Sequence, residues 1–134
     1  MQRFLVLIGL ALALAACGGT ASNGGPPAGQ TLTVDGITIG LQPQPAQAVV
    51  NQRQTWLVTL ADAAGRPIEN ADVYLELDMP SMTMGQNNPL ATPKGNGVYQ
   101  AEGLYSMSGE WHVIVHAEVD GTDHPALFTI EVKE

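Results

Sequence analysis

Methionine is the residue type whose placement in this chain could do chemistry. The 134 residues contain five methionines, and after Met1 they stand at Met79, Met82, Met84 and Met107. A thioether is a soft, uncharged ligand that suits Cu(I) far better than calcium, magnesium or zinc. Several thioethers that converge at an extracellular surface would therefore indicate copper handling. Methionine is also an ordinary filler of hydrophobic cores, so that interpretation competes at each position.

The N-terminal segment has the pattern of an export signal. Residues 1–16 combine the positive Arg3, an apolar run over 4–13 and small residues directly before Cys17. The sequence Leu14-Ala15-Ala16-Cys17 resembles a bacterial lipobox, which implies acylation of the cysteine and cleavage in front of it. We therefore expect an extracytoplasmic chain in the cell envelope, anchored to a membrane by lipid. A plain signal peptide followed by an incidental cysteine is the alternative.

The rest of the chain divides into a tether and one domain. Residues 17–30 are rich in glycine, proline and small polar residues, which is typical of a flexible linker. Residues 31–134 fit one compact domain with one core. Because Cys17 is the only cysteine, its acylation would exclude disulfide exchange and Cys-His nucleophilic catalysis. A soft metal site in the domain would then consist of methionine and histidine.

Charge and motif content exclude several functions. Lys and Arg number five against 13 Asp and Glu, and the net charge is −8. This balance argues against nucleic acid or anionic lipid as a direct partner. No Gly-x-Ser-x-Gly elbow, phosphate loop or His-Glu-x-x-His motif occurs, so we expect no enzymatic activity.

A period of two dominates the sequence from residue 31 onwards. Apolar and polar residues alternate most clearly over 71–79 and 111–119, and no segment sustains a helical period. Gly, Pro, Asn and Asp separate the β-rich runs. We predict an all-β fold, an immunoglobulin-like antiparallel β-sandwich of about seven strands. The predicted strands are 31–41, 55–61, 71–79, 82–86, 98–104, 110–119 and 126–132.

This arrangement predicts where the methionines lie. In an antiparallel alternation, the connections after the third and fifth predicted strands lie at the same end of the sandwich. Met79 closes the third strand, Met82 and Met84 open the fourth, and Met107 follows the fifth. We therefore predict that all four methionines converge at one end. The prediction depends on the short strand 82–86, because without it Met107 would move to the opposite end.

The individual candidates differ in their alternatives. Met79 continues the inward series of its strand, so core packing is as natural as ligation. Met82 and Met84 share one side of an extended segment, where ligation, a partner contact or packing over an open edge could each explain them. His112 begins a strand near this end and can approach Met107, which makes it a candidate fifth ligand. A solvent-facing or hydrogen-bonded role is the alternative for His112.

The other two histidines are expected to be structural. His112 and His116 share a strand face but lie four residues apart, about 13 Å at a strand rise of ~3.3 Å per residue. That distance is too long for both to bind one ion. We expect His116 and His124 to be solvent-facing or hydrogen-bonded.

Several motifs together resemble a known family, the YtkA-like (FixH-like) domain. They span about residues 55–117 and read Asp62-Ala63-Ala64-Gly65-Arg66-Pro67-Ile68, Ala71-Asp72-Val73, Met79-Pro80-Ser81-Met82-Thr83-Met84, Gly97-Val98-Tyr99 and Met107-Ser108-Gly109-Glu110-Trp111-His112-Val113. The resemblance implies a small β-sandwich, often lipid-anchored or membrane-tethered. It also implies a connection with copper delivery or with the assembly of copper-containing oxidases.

Two functions follow as expectations from the residues and the resemblance. The first is an extracytoplasmic lipoprotein that binds Cu(I) and passes it to, or buffers it for, a membrane copper protein such as an oxidase. The second is an accessory module that docks onto a membrane complex without any metal. Carried over position by position, the site implied by the resemblance is Met79, Met82, Met84 and Met107, with His112 less firmly placed.

Overall fold

The computed structural model describes residues 29–134 except Met84, and within them all regular structure is β. No helix in these residues is long and apolar enough to cross a membrane. The alternating sequence pattern predicts this all-β structure, because successive side chains of a strand point to opposite faces. The strands are β1 (Gln30–Val34), β2 (Ile37–Gln44), β3 (Ala48–Val49), β4 (Gln54–Ala61), β5 (Ala71–Asp78), β6 (Thr92–Gly95), β7 (Val98–Gly103), β8 (Gly109–Val119) and β9 (Thr122–Lys133).

The strands form two sheets that pack face to face. The five-stranded sheet has the order β1-β2-β4-β7-β6, and the four-stranded sheet has the order β3-β9-β8-β5. Neighbours are antiparallel except for the two-residue β3, which pairs parallel to β9. The predicted immunoglobulin-like β-sandwich is therefore confirmed.

The hydrophobic core lies between the sheets, as the alternation predicts. In β5 and β8 the side chains that face inward are at most 5% exposed from Val73 to Leu77 and fully buried from Trp111 to Ala117. The largest fully buried side chains are Trp56, Trp111, Tyr99, Tyr105 and Phe128. All buried members of the core cluster lie between residues 37 and 132. A chain that begins after Cys17 therefore retains every buried residue of this cluster, and we expect it to fold as one unit.

The single strand predicted over 31–41 is wrong, because the chain forms a hairpin there. Asp35 and Gly36 have φ values of 50° and 81°, and they join β1 to β2 as a two-residue turn. Asp-Gly is a strong sequence signal for such a turn. The same chemistry at Asp120-Gly121 joins β8 directly to β9, which starts at Thr122 and not at 126.

The predicted strand over 82–86 is also wrong for its four described residues, which are not in a strand. Pro80 and Pro89 flank this stretch, Gly85 lies within it, and its described residues are exposed. The chain instead lies along the edge of β5, where the N–H groups of Leu77 and Leu75 donate to the carbonyls of Asn87 and Pro89. It then crosses to the other sheet and forms β6.

The chain nevertheless reverses after β5, as the predicted convergence of the methionines at one end requires. The segment after β5 still runs back antiparallel to it, so β7 and β8 keep their expected directions. The last residue of β5, Asp78, pairs with His112 near the start of β8. The turn after β5 and the bend before β8 are therefore at one end of the sandwich, which we call the methionine end.

Candidate functional site

Met79 is the innermost residue of the methionine end. It follows the last residue of β5, is 6% exposed and belongs to the hydrophobic core. Its methyl carbon lies 3.0 Å from the position that a β-carbon on Gly109 would occupy. This contact brings the turn after β5 against the bend before β8. Core packing therefore describes the environment of Met79, with its side chain at the base of this end.

Met82 lies above Met79 in a tight turn. Its backbone N–H donates to the Met79 carbonyl at 3.1 Å, and its side chain is 48% exposed. Together with the neighbouring residues 78–83 it lines an open surface depression of about 440 Å³. The thioether of Met82 is therefore accessible from solvent.

Met107 approaches the same end from the connection between β7 and β8. Its side chain is half-buried and packs against the core. The indole N–H of Trp111 donates to the Met107 carbonyl at 3.0 Å, so a core residue fixes the bend. The structure therefore brings the segments of Met79, Met82 and Met107 together, although Met107 is far from the other two in sequence.

Tyr105 packs against Trp111, the residue that holds this bend, and this role was not predicted from the sequence. Its ring centroid lies 5.2 Å from Trp111 and 5.6 Å from Trp56, whose indole N–H donates to the Tyr105 hydroxyl at 3.0 Å. Burial raises the pKa of Tyr105 to about 12, against the opposite effect of the hydrogen bond from Trp56. An aromatic residue two positions before Met107 was the available sequence signal for this support.

His112 lies on a different surface from the side chain of Met79. It pairs with Asp78 across β5 and β8, and both side chains are on the outer face of the four-stranded sheet. Its Nε2 atom is 3.9 Å from a carboxylate oxygen of Glu110. The sheet thus separates the imidazole from the buried Met79, and the acidic residues Asp78 and Glu110 neighbour the imidazole.

His116 and His124 have the hydrogen-bonded roles expected of them. The two ring nitrogens of His116 contact Asp123 at 2.7 Å and Glu76 at 3.2 Å, and its ring stacks on Tyr74. His124 Nδ1 lies 3.2 Å from an Asp35 carboxylate oxygen. Neither ring is positioned near the methionine end.

A hard-ligand metal centre does not occur in the described part of the chain. Within residues 29–134, leaving aside Met84, no group of three or more His, Cys, Asp and Glu side chains could hold an ion. Methionine sulfur is outside that ligand class. Two predicted site residues, Met84 and the lipidation site Cys17, lie outside the described residues, as do the leader and most of the tether.

Solved structures share this fold at low sequence identity, and eight of their chains match. The filamin domain of Lin-41 matches with a TM-score of 0.50 and 20% identity, over 82% of this chain and 98% of that chain. The Escherichia coli adhesin FdeC matches with a TM-score of 0.51 and 22% identity, over 78% of this chain and 33% of that one. These likenesses support the immunoglobulin-like sandwich. No curated protein matches the chain.

A family model gives the more specific comparison. The model described as YtkA-like matches residues 31–116, from β1 into β8. The matched region includes the turn after β5, the bend before β8 and all the predicted metal-site positions. Because the match covers more than half of the 134 residues, this chain belongs to the YtkA-like family.

Proposed function

We propose that this chain is an extracytoplasmic, non-catalytic lipoprotein that binds Cu(I) through thioethers at the methionine end. In this role it passes copper to, or buffers copper for, a membrane copper protein such as an oxidase. The observation that carries the proposal is the contact between Met79 and Gly109. It supports one shared site because it joins the two chain segments that bear all four methionines.

The exposure of the methionines supports a division of roles. Met82 is 48% exposed and Met107 is half-buried, so their sulfur atoms are available at the surface and at its margin. Met84 is two residues from Met82 in sequence and would supply the third thioether. Met79 is 6% exposed and forms the apolar base beneath them. Soft uncharged sulfur ligands favour Cu(I) over the harder divalent ions.

The open shape of the site supports transfer over permanent storage. The depression beside Met82 is open to solvent, so an acceptor protein can approach a bound ion directly. Thioethers are neutral and weak ligands, which an acceptor can replace one at a time. His112 lies on the adjoining outer face of the four-stranded sheet. From there it would contribute to Cu(I) binding less strongly than the thioethers.

The proposed location follows from the leader. Acylation of Cys17 would hold the domain near a membrane, because buried acyl chains contribute about 0.8 kcal/mol per methylene. The twelve residues 18–29 that precede β1 could reach about 40 Å when fully extended. This reach would let the methionine end contact a membrane-embedded acceptor.

A Cu(I) titration against a competing chelator tests the proposal. The chain from residue 18 onwards should bind one Cu(I), and the double variant Met82→Leu/Met84→Leu should lose that binding with an unchanged circular dichroism spectrum. For the histidines, His112→Asn should weaken binding modestly, and the matched control His116→Asn should not. Wild-type affinity in the double methionine variant would contradict the proposal.

A second function has its own supporting observation. Met82 and Leu104 are 48% and 45% exposed, and both lie in connections at the methionine end. Large apolar side chains that are exposed at one end of a domain are candidates for a docking surface. An accessory module that docks onto a membrane complex without metal would use them. The Cu(I) titration separates the two functions, because a folded chain that binds no Cu(I) would support docking without metal.

A further inference from the structure

Three of the four sheet edges carry features that prevent pairing with another strand. The outer strand β6 contains Pro93 and Lys94 and has an irregular register. Strand β3 has only two residues, and the segment 87–91 lies along the edge of β5. Proline, lysine, bulges, short strands and covering segments are the usual means of blocking an edge.

Strand β1 has none of these features. Its five residues, Gln30–Val34, include no charge and no proline, and its register with β2 is regular. Four of the five are exposed, and Leu32 is 40% exposed although it pairs with the fully buried Ile39. Within residues 29–134, Met84 aside, β1 has one sheet neighbour. It is therefore an open edge made of β-forming residues.

The hairpin register determines which backbone groups are free. Val34 and Ile37 flank a two-residue turn and so form a hydrogen-bonded pair, and such pairs alternate along the ladder. The backbone groups of residues 30, 32 and 34 therefore point to β2. Those of Thr31 and Thr33 point outward.

We infer that β1 is an association surface for a second copy of this chain, paired antiparallel about a twofold axis through Leu32. In this register Thr31 of one copy lies opposite Thr33 of the other, and the outward groups form about four backbone hydrogen bonds. Leu32 then faces its own counterpart in a non-hydrogen-bonded pair, where side chains are closest. The pairing buries Leu32 and joins the five-stranded sheets of the two copies.

The charge distribution favours this edge for contact between two acidic copies. Seven of the thirteen carboxylates lie on the outer face of the four-stranded sheet, namely Asp72, Glu76, Asp78, Glu110, Glu118, Asp123 and Glu131. The outer face of the five-stranded sheet carries mainly threonine and glutamine, and β1 itself is uncharged. Pairing through β1 keeps the acidic faces apart, so the net charge of −8 opposes it least there.

The interface is small, so the association is weak and reversible. One five-residue strand per copy buries less than the roughly 1,200 Å² of a standard interface. A membrane anchor would raise the local concentration of copies, but the inference itself requires neither the anchor nor a metal. Failure of the Cu(I) titration would therefore leave it unaffected.

Sedimentation of the metal-free chain from residue 18 onwards tests the inference. The wild type should show a monomer–dimer equilibrium with rising concentration. Leu32→Lys and Thr33→Pro should each weaken dimerisation at least about tenfold. Thr33→Pro removes an outward N–H and the contact between the Thr33 and Thr38 hydroxyls, and the backbone hydrogen bonds between β1 and β2 are retained. The matched control Leu127→Lys changes a leucine of 48% exposure on the other sheet and should dimerise like the wild type.

Amide exchange identifies the surface directly. The Thr31 and Thr33 amides should exchange more slowly at concentrations where the dimer forms. A dimer that survives both β1 variants would overturn the inference, and so would a chain that stays monomeric at millimolar concentration. A monomer with protected Thr31 and Thr33 amides would also overturn the inference, because the residues before β1 would then be the ones that pair with this edge.

Discussion

Met79 and Gly109 are in direct contact, with the Met79 methyl carbon 3.0 Å from where a β-carbon on Gly109 would stand. Gly109 has a φ of 121°, a conformation that residues with side chains rarely adopt. Because Gly109 has no side chain, the backbone can bend before β8, and the Met79 side chain has space beside it. This contact makes the geometry of the methionine end depend on one glycine.

Replacing this glycine should destabilise the fold mainly through the backbone. We expect Gly109→Ala to lower the free energy of unfolding by about 1–3 kcal/mol, because the left-handed φ is strained for alanine. The Met79 methyl group is the end of a flexible side chain and can move aside. Most of the cost should therefore persist in a Met79→Ala background, as measured by urea denaturation of the four chains. A neutral Gly109→Ala change in that background would show that the contact, and not the backbone, dominates.

The hydrogen bond from Trp111 to the Met107 carbonyl should contribute to Cu(I) affinity as well as to the free energy of unfolding. Trp111→Phe leaves a space and an unpaired carbonyl, so we expect a loss of about 2–4 kcal/mol in unfolding free energy. The loosened bend should also weaken Cu(I) binding.

The matched control is Trp56→Phe, which removes the same indole from the same aromatic cluster but leaves the Met107 carbonyl paired. It should lower stability by a similar amount with little change in Cu(I) affinity. Equal affinity losses in both variants would argue that general loosening of the core is responsible.

Tyr105 predicts a specific loss of stability at alkaline pH. Burial raises its pKa from 10.0 to about 12, so the folded state favours the neutral phenol. This contribution is complete below pH 10 and is lost as the pH rises towards 12. We expect the free energy of unfolding to fall by about 2 kcal/mol over this window on account of Tyr105.

Tyr105→Phe isolates that effect because it removes the titrating group. The variant should be less stable at pH 8 by about 1 kcal/mol through loss of the hydrogen bond with Trp56. Its stability should then fall less steeply than that of the wild type between pH 10 and 12 in urea titrations. Parallel pH profiles of the two proteins would contradict the assignment.

The graded exposure of the methionines predicts an order of oxidation. Peroxide should convert Met82 to its sulfoxide faster than Met107, and Met79 last, because they are 48% exposed, half-buried and 6% exposed respectively. Peptide mass spectrometry over time measures the three rates. Ag(I), a soft ion without redox activity here, should slow the oxidation of Met82 if the thioether is a ligand. Oxidation of Met79 at the rate of Met82 would contradict the described packing.

The sequence predicted the architecture well where alternation was strong and poorly where turns decided it. The inward series of β5 and β8 is confirmed because burial of alternate side chains fixes a strand and its face. The hairpin at Asp35-Gly36 was missed although its turn dipeptide was visible and the apolar positions change phase there, from 32 and 34 to 37, 39 and 41. The predicted strand over 82–86 mistook the two-residue spacing of Met82 and Met84 for the alternation of a paired strand.

The candidate site was predicted in part, for a topological reason. Met107 lies at the same end as Met79 and Met82 because the chain reverses after β5, and this reversal does not require a strand at 82–86. The importance of Gly109 and Tyr105 could not be read from periodicity. Both act through contacts with residues that are distant along the chain.

By itself, the sequence determined the β-sandwich, its inward-facing residues and the presence of soft ligands without a cysteine in the domain. Only the tertiary structure decided that Met79 is buried against Gly109, that Met82 is open to solvent and that His112 faces away from Met79. The physical reason is that side-chain alternation is a local property of a strand. The proximity of two loops depends instead on how every intervening strand reverses and pairs.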